Sequence, residues 1–122
     1  MRILLQNVPG QPIQYRVPIE VAGEWILQSV HLTKVSAGPG VDPLLQITDA
    51  DGGIVFTTTL STPIPLGAAT YEVTFAALSV LESRATYFTI PIPPNLRLEV
   101  DDLITISDLT AIETMTAVID LI

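Results

Sequence analysis

The chain reads as a single all-β domain, an antiparallel sandwich or barrel, and three observations lead there. Ile at 14 positions, Val at 11 and Thr at 14 make up 39 of the 122 residues. Branched side chains lose rotamer freedom in a helix but pack well on a pleated surface. Short runs of period-two alternation recur along the chain, separated by Gly, Pro, Asn and Asp. No segment of useful length carries a helical repeat. A doubly wound α/β fold, whose parallel strands need helical crossovers, is therefore ruled out.

Taken in order, residues 2–6 and 13–19 are two short strands, parted by the breaker stretch Val8-Pro9-Gly10-Gln11-Pro12. Ala22-Gly23 turns into the longest strand candidate, residues 24–35. Alternation there puts Ile26, Val30 and Leu32 on one face and Trp25, Leu27, His31 and Val35 on the other. With both faces partly apolar, the strand is either buried on both sides or shifted by a bulge near Gln28-Ser29. Residues 36–40 form a loop, and Pro43 opens a strand over 44–48 with Leu45 and Ile47 facing one way.

The clearest local signal follows. Asp49-Ala50-Asp51-Gly52-Gly53 separates 44–48 from 54–60, where Ile54, Phe56, Thr58 and Leu60 alternate with Val55, Thr57 and Thr59. Asp-Gly and Gly-Gly supply the positive φ that tight turns demand, so this is a β-hairpin. Residues 61–69 form a loop with Pro and Gly, and 70–75 a strand with Tyr71, Val73 and Phe75 on one face. Residues 76–83 fit either a strand or a short helical turn, because Phe75, Leu78 and Leu81 are spaced by three. Strands over 86–92, 97–100, 103–107 and 115–122 complete the set, with Pro91, Pro93 and Pro94 marking a strand end or an edge. Eight to ten short strands fit one core, and no linker divides the chain.

Composition narrows function. There is no Cys, so no disulfide framework and no thiolate metal site. Net charge is −8 and pI about 4.2, the wrong sign for phosphate backbones or anionic lipid, so neither nucleic acid nor a membrane is expected as a partner. Mean hydropathy is +0.52, yet no apolar run reaches the ~18 residues of a membrane helix. The stretch Ile3-Leu4-Leu5 is too short for the apolar core of a signal peptide. Only 15% of residues are charged, against roughly a quarter in an average domain. Part of the surface is therefore expected to be a subunit interface.

No constellation of reactive residues rises above a plainer reading. Asp49, Asp51 and Gly52 resemble the opening of a calcium loop, but Gly53 and an apolar strand stand where further oxygen ligands belong, so a hairpin turn is favoured and no metal is expected. Glu99, Asp101, Asp102, Asp108, Glu113 and Asp120 fall in the last 24 residues without a Lys or Arg. Solvated turn and edge charges are the favoured reading, and an acidic surface facing a basic partner the second. His31 lies two residues from Ser29 on one strand face, without the carboxylate and oxyanion hole that a nucleophile needs; a packed or interface histidine is favoured. Trp25, Tyr15, Tyr71 and Tyr87 could stack on sugars, but core packing is favoured. No catalytic residue, cofactor or metal site is expected, and the chain is not expected to be an enzyme.

The runs Tyr15-Arg16-Val17-Pro18-Ile19 and Gly23-Glu24-Trp25-Ile26-Leu27, the segment Leu45-Gln46-Ile47-Thr48-Asp49-Ala50-Asp51-Gly52-Gly53 and the Pro-rich approach Ile90-Pro91-Ile92-Pro93-Pro94-Asn95-Leu96-Arg97-Leu98 resemble small tailed-phage virion proteins. The likeness is to jelly-roll modules that decorate or cement capsids, or form spikes and fibre heads. It lies in strand order, low charge, Thr-rich hairpins and a terminal strand rather than in a diagnostic motif. The resemblance implies a jelly-roll-like β-sandwich that forms a homotrimer, binds the major capsid protein on the outside of the shell and stabilises it. Assembly in the host cytoplasm and residence in the virion go with it. A phage tail, fibre or baseplate module recognising a receptor or carbohydrate is the alternative. Residues 36–42 and 61–69 are the expected contact loops, because Gly and Pro let backbone approach a partner closely.

Overall fold

The computed structural model describes residues 1–8, 10–18, 25–36, 43–59, 69–84, 86–108 and 114–122, with the backbone alone for 34–36, 69 and 108. Its strands are β1 (Arg2–Gln6), β2 (Ile13–Arg16), β3 (Trp25–Ser36), β4 (Pro43–Thr48), β5 (Ile54–Thr59), β6 (Ala69–Ala77), β7 (Glu82–Ser83), β8 (Tyr87–Ile92), β9 (Arg97–Leu98), β10 (Leu103–Asp108) and β11 (Met115–Leu121). Among the described residues there is no helix. The all-β expectation holds.

One sheet runs β1-β11-β3-β6-β8-β7, with β9 pairing β3 beyond this path; the other runs β2-β10-β4-β5. With β7, β8 and β9 set aside, the remaining strands renumbered along the chain lie in the orders 1-8-3-6 and 2-7-4-5. That interleaving is the double Greek key of a jelly roll. The inserted strands widen the first sheet beyond β6, and β6 pairs β8 in parallel, Glu72 opposite Tyr87 and Ala77 opposite Ile92. This is the departure from an antiparallel sandwich. It arises because the chain leaves β6, passes the end of β8 to form β7, and returns between the two.

The core lies between the sheets and follows the period of two. The first sheet contributes Val30, Leu32, Tyr71, Val73, Phe75, Phe88, Ile90, Ala117 and Ile119, and the second Ile13, Leu45, Ile47, Ile104 and Ile106, all buried. These form one cluster, so neither sheet has a core of its own. Pro43 is the first residue of its strand, and pairing of β7 with β8 stops opposite Thr89, short of Pro91. Both prolines thus stand where a missing N–H is tolerated.

Two bulges re-aim side chains. Pairing of β3 with β11 steps from Ser29 opposite Asp120 to Leu27 opposite Leu121, so Gln28 is the extra residue at the place the sequence marks. Leu27 and Val30 consequently both enter the core, which simple alternation forbids. The second bulge corrects an expectation. Pairing of β4 with β5 jumps from Ile47 opposite Phe56 to Thr48 opposite Ile54, making Val55 the extra residue. Phe56 packs on the core while Ile54 is 64% exposed, so the two do not share a face. Residues 76–83 contain neither a helix nor a continuous strand: β6 runs to Ala77, Leu78 takes φ +58°, and β7 begins at Glu82.

Candidate interaction surface

The hairpin turn between β4 and β5 is built on Asp49. Its Oδ1 accepts the N–H of Asp51 at 2.9 Å and of Gly53 at 2.8 Å, while Asp49 N–H donates to the Gly53 carbonyl at 2.8 Å. Gly52 holds φ +86°, and a Cβ on Gly53 would lie 2.9 Å from Asp49 Oδ2. The residues that resemble a calcium loop thus have a turn role, with Asp49 Oδ1 occupied by two backbone donors.

Ser29 and His31 share the outer face of the first sheet but are not coupled. Ser29 Oγ donates to Asp120 Oδ2 at 3.3 Å, His31 Nδ1 lies 2.8 Å from Thr74 Oγ1, and His31 Nε2 lies 3.8 Å from Glu72 Oε1. Asp120 also accepts from Arg2 Nε at 2.9 Å, a hydrogen bond that, with the carboxylate's charge, raises the Arg2 guanidinium above its ordinary value. The acidic tail therefore meets one cation from the opposite end of the chain.

The other carboxylates divide. Glu99 and Asp101 are exposed turn residues, whereas Asp102 is buried and its Oδ2 accepts the Glu99 N–H at 2.8 Å. Asp102 is thus a turn-former rather than the solvated charge its sequence suggests. It anchors the approach to β10, where the Val17 N–H donates to the Asp102 carbonyl and the Asp101 N–H to the Val17 carbonyl, each at 2.9 Å. The side chain of Asp108 and the whole of Glu113 lie outside the described residues. Among the described residues no three His, Asp or Glu side chains are grouped as metal ligands.

The aromatic side chains do not form a platform. Tyr71 is buried, Tyr15 and Trp25 pack against the core, and Tyr87 is exposed. Trp25 Nε1 is buried with no hydrogen-bond partner.

Two surfaces escaped residue-by-residue reading. The outer face of the four-stranded sheet consists of three cross-strand rows: Arg16, Leu103, Thr48 and Ile54; Gln14, Thr105, Gln46 and Thr57; Ser107, Leu44 and Thr59. Arg16 is its one ionic side chain, and Arg16 Nη1 donates to the Asp101 carbonyl at 3.0 Å. The second surface is the turn after β6, where Leu78, Val80 and Leu81 are 90%, 76% and 62% exposed. Ser79 Oγ donates to the Ala76 carbonyl at 2.7 Å and ties this turn to the strand. Only the three-residue spacing of Phe75, Leu78 and Leu81 marks it in the sequence, where it mimics a helix. The expected contact loops 36–42 and 61–69 lie outside the described residues, save the backbones of Ser36 and Ala69, which are cross-strand partners.

Comparison with family models, curated proteins and solved structures finds no match to this chain.

Proposed function

We propose that this chain is a structural virion protein of the decoration or cement kind, one that binds the outside of a tailed-phage capsid and stabilises the shell by bridging neighbouring subunits. The observation that carries the reading is the neutral outer face of the four-stranded sheet. In a chain of net charge −8, three cross-strand rows hold one ionic side chain among Thr, Gln, Ser and aliphatic residues. Such a face can be covered by a partner without the desolvation cost of burying unpaired ions. A two-layer fold with a single shared core presents this face as a stiff platform, which suits a bridging role better than a flexible loop would. The jelly-roll strand order agrees with the kind of module that the sequence resembles.

The test compares particles with and without the protein. Retention of packaged DNA on heating is measured, and the protein is located by electron microscopy. Density on the capsid exterior with lower heat stability in its absence is the expected result. Equal heat stability with density confined to the tail tip overturns the reading in favour of a tail or fibre module recognising a receptor or carbohydrate.

A further inference from the structure

Two aspartates share the turn between β4 and β5, and the turn uses them differently. Asp49 is half-buried, its Oδ1 accepts the N–H groups of Asp51 and Gly53 at 2.9 and 2.8 Å, and Ala50 follows it. Asp51 is exposed, and its carboxylate has no hydrogen-bond or ion-pair partner among the described residues. Its main chain is tethered to Asp49 while its side chain is free to turn. Gly52 follows at φ +86°, and a Cβ built there would meet nothing within 4 Å. The missing side chain and the open space together leave the Gly52 amide unshielded. The other aspartates whose side chains are described lack these features. Asp101 is followed by Asp102, Asp102 by Leu103 and Asp120 by Leu121, each with a side chain beside the main-chain nitrogen. Asp102 is also buried with Oδ2 on the Glu99 N–H, and Asp120 is held by Arg2 and Ser29.

We propose that Asp51-Gly52 is a site of spontaneous backbone modification, at which the folded chain passes through a five-membered cyclic imide to an isoaspartyl linkage. The Gly52 nitrogen attacks Cγ of the Asp51 carboxyl in its acid form. The N–Cγ bond forms, the Cγ–OH bond breaks, and the amide proton leaves with the hydroxyl as water. Water then adds to the imide. When the bond from the nitrogen to the Asp51 main-chain carbonyl carbon opens, the chain runs on through Cγ and a carboxylate is left on Cα. Opening of the other bond returns ordinary aspartate. One water leaves and one returns, so no further reactant is needed. The attack requires the Gly52 N–H to leave the Asp49 carbonyl, 3.0 Å away. That opening is local, because residues 50–53 are exposed and β5 beyond them is paired on one side only among the described residues. The product is longer by one backbone atom inside a turn closed by the Asp49 N–H on the Gly53 carbonyl, so the modification bears on the β4–β5 hairpin and on the Ile54 end of the outer face. The inference does not rest on the capsid reading.

Incubation of the folded full chain near neutral pH in water enriched in heavy oxygen tests it, with circular dichroism to follow the fold. Trypsin then releases the peptide 35–84, which holds both turn aspartates. Electron-transfer fragmentation, whose products differ between the two linkages, locates the isomer. Isoaspartate is expected to accumulate at Asp51 with time, preceded by a species lighter by one water, and to exceed that at Asp49 by an order of magnitude. One solvent oxygen should enter at Asp51 for each passage through the imide, whichever bond reopens. Asp51→Glu keeps the charge at an exposed position but would need a larger ring, and is expected to gain neither isomer nor heavy oxygen there. The wild-type measurement stands without the variant. Absence of isomer and label at Asp51 in the folded chain, above all if the urea-unfolded chain forms them, overturns the proposal, as does equal product at Asp49 or undiminished labelling at that position in Asp51→Glu.

Discussion

The two sheets share one core but treat their outer faces in opposite ways. On the first, polar side chains satisfy one another: Arg2 and Ser29 both bond Asp120, and His31 bonds Thr74 with Glu72 near by. On the second, the rows through Leu103, Gln46 and Leu44 are neutral, and the one cation is turned to a backbone carbonyl. What differs is charge: the first face carries Arg2, Asp120, His31 and Glu72, the second Arg16 alone, and the face left neutral is the one suited to being covered.

The strongest way to break this comparison is to remove what the sheets share. Phe75, fully buried on β6, is expected to cost about 3–5 kcal/mol when replaced by Ala. Urea unfolding followed by fluorescence and by circular dichroism should then give one lowered midpoint for both probes. Two separate transitions would show that the sheets do not unfold as one unit.

Next in size is Asn7→Ala. Asn7 is buried where β1 ends; its Oδ1 accepts the Met115 N–H at 2.7 Å and its Nδ2 donates to the Gln11 carbonyl at 3.1 Å. Leaving that buried donor unpaired is expected to cost about 1–3 kcal/mol in the same unfolding experiment. Gly52→Ala places a Cβ at φ +86° and is expected to cost about 1–2 kcal/mol. The measured fall in melting temperature should be smaller than for Asn7→Ala when the hairpin can relax around it.

The sharpest comparison carries the least stability change. Thr105→Glu and Thr116→Glu put the same charge on the two outer faces, and each is expected to shift stability by less than about 0.5 kcal/mol. Particle co-sedimentation should separate them: Thr105→Glu is expected to lose binding and Thr116→Glu to keep it. Equal binding by both would remove the distinction between the faces.

Much of this architecture is written locally. The Asp49–Gly53 turn, the alternation of Leu45 and Ile47, and the bulge at Gln28 all follow from a few neighbouring residues. What stays hidden is set by residues far away. Asn7 looks like an ordinary turn residue because its partner Met115 is 108 positions distant, and the parallel pairing of β6 with β8 depends on where the intervening chain crosses. Ile54 changes face because Val55 bulges against a strand whose register the alternation of β5 cannot reveal. The neutral outer face is legible only once the register shows which side chains stand in one row.

The pairing of β1 with β11 joins Arg2 to Asp120 and Gln6 to Thr116. Among the described residues β1 has no other strand beside it. During synthesis its partner therefore does not exist until more than a hundred further residues have been made. From Gln6 to Met115 is 109 residues, a delay of roughly 5–20 s at ordinary elongation rates. Through that interval β3 lacks the neighbour that separates it from β1, and the apolar side chains of Ile3 and Leu5, which pack on the core in the finished fold, wait in solvent. Closure of the first sheet is thus a late event, so the speed of translation and the presence of chaperones should govern how much of this protein reaches its native state.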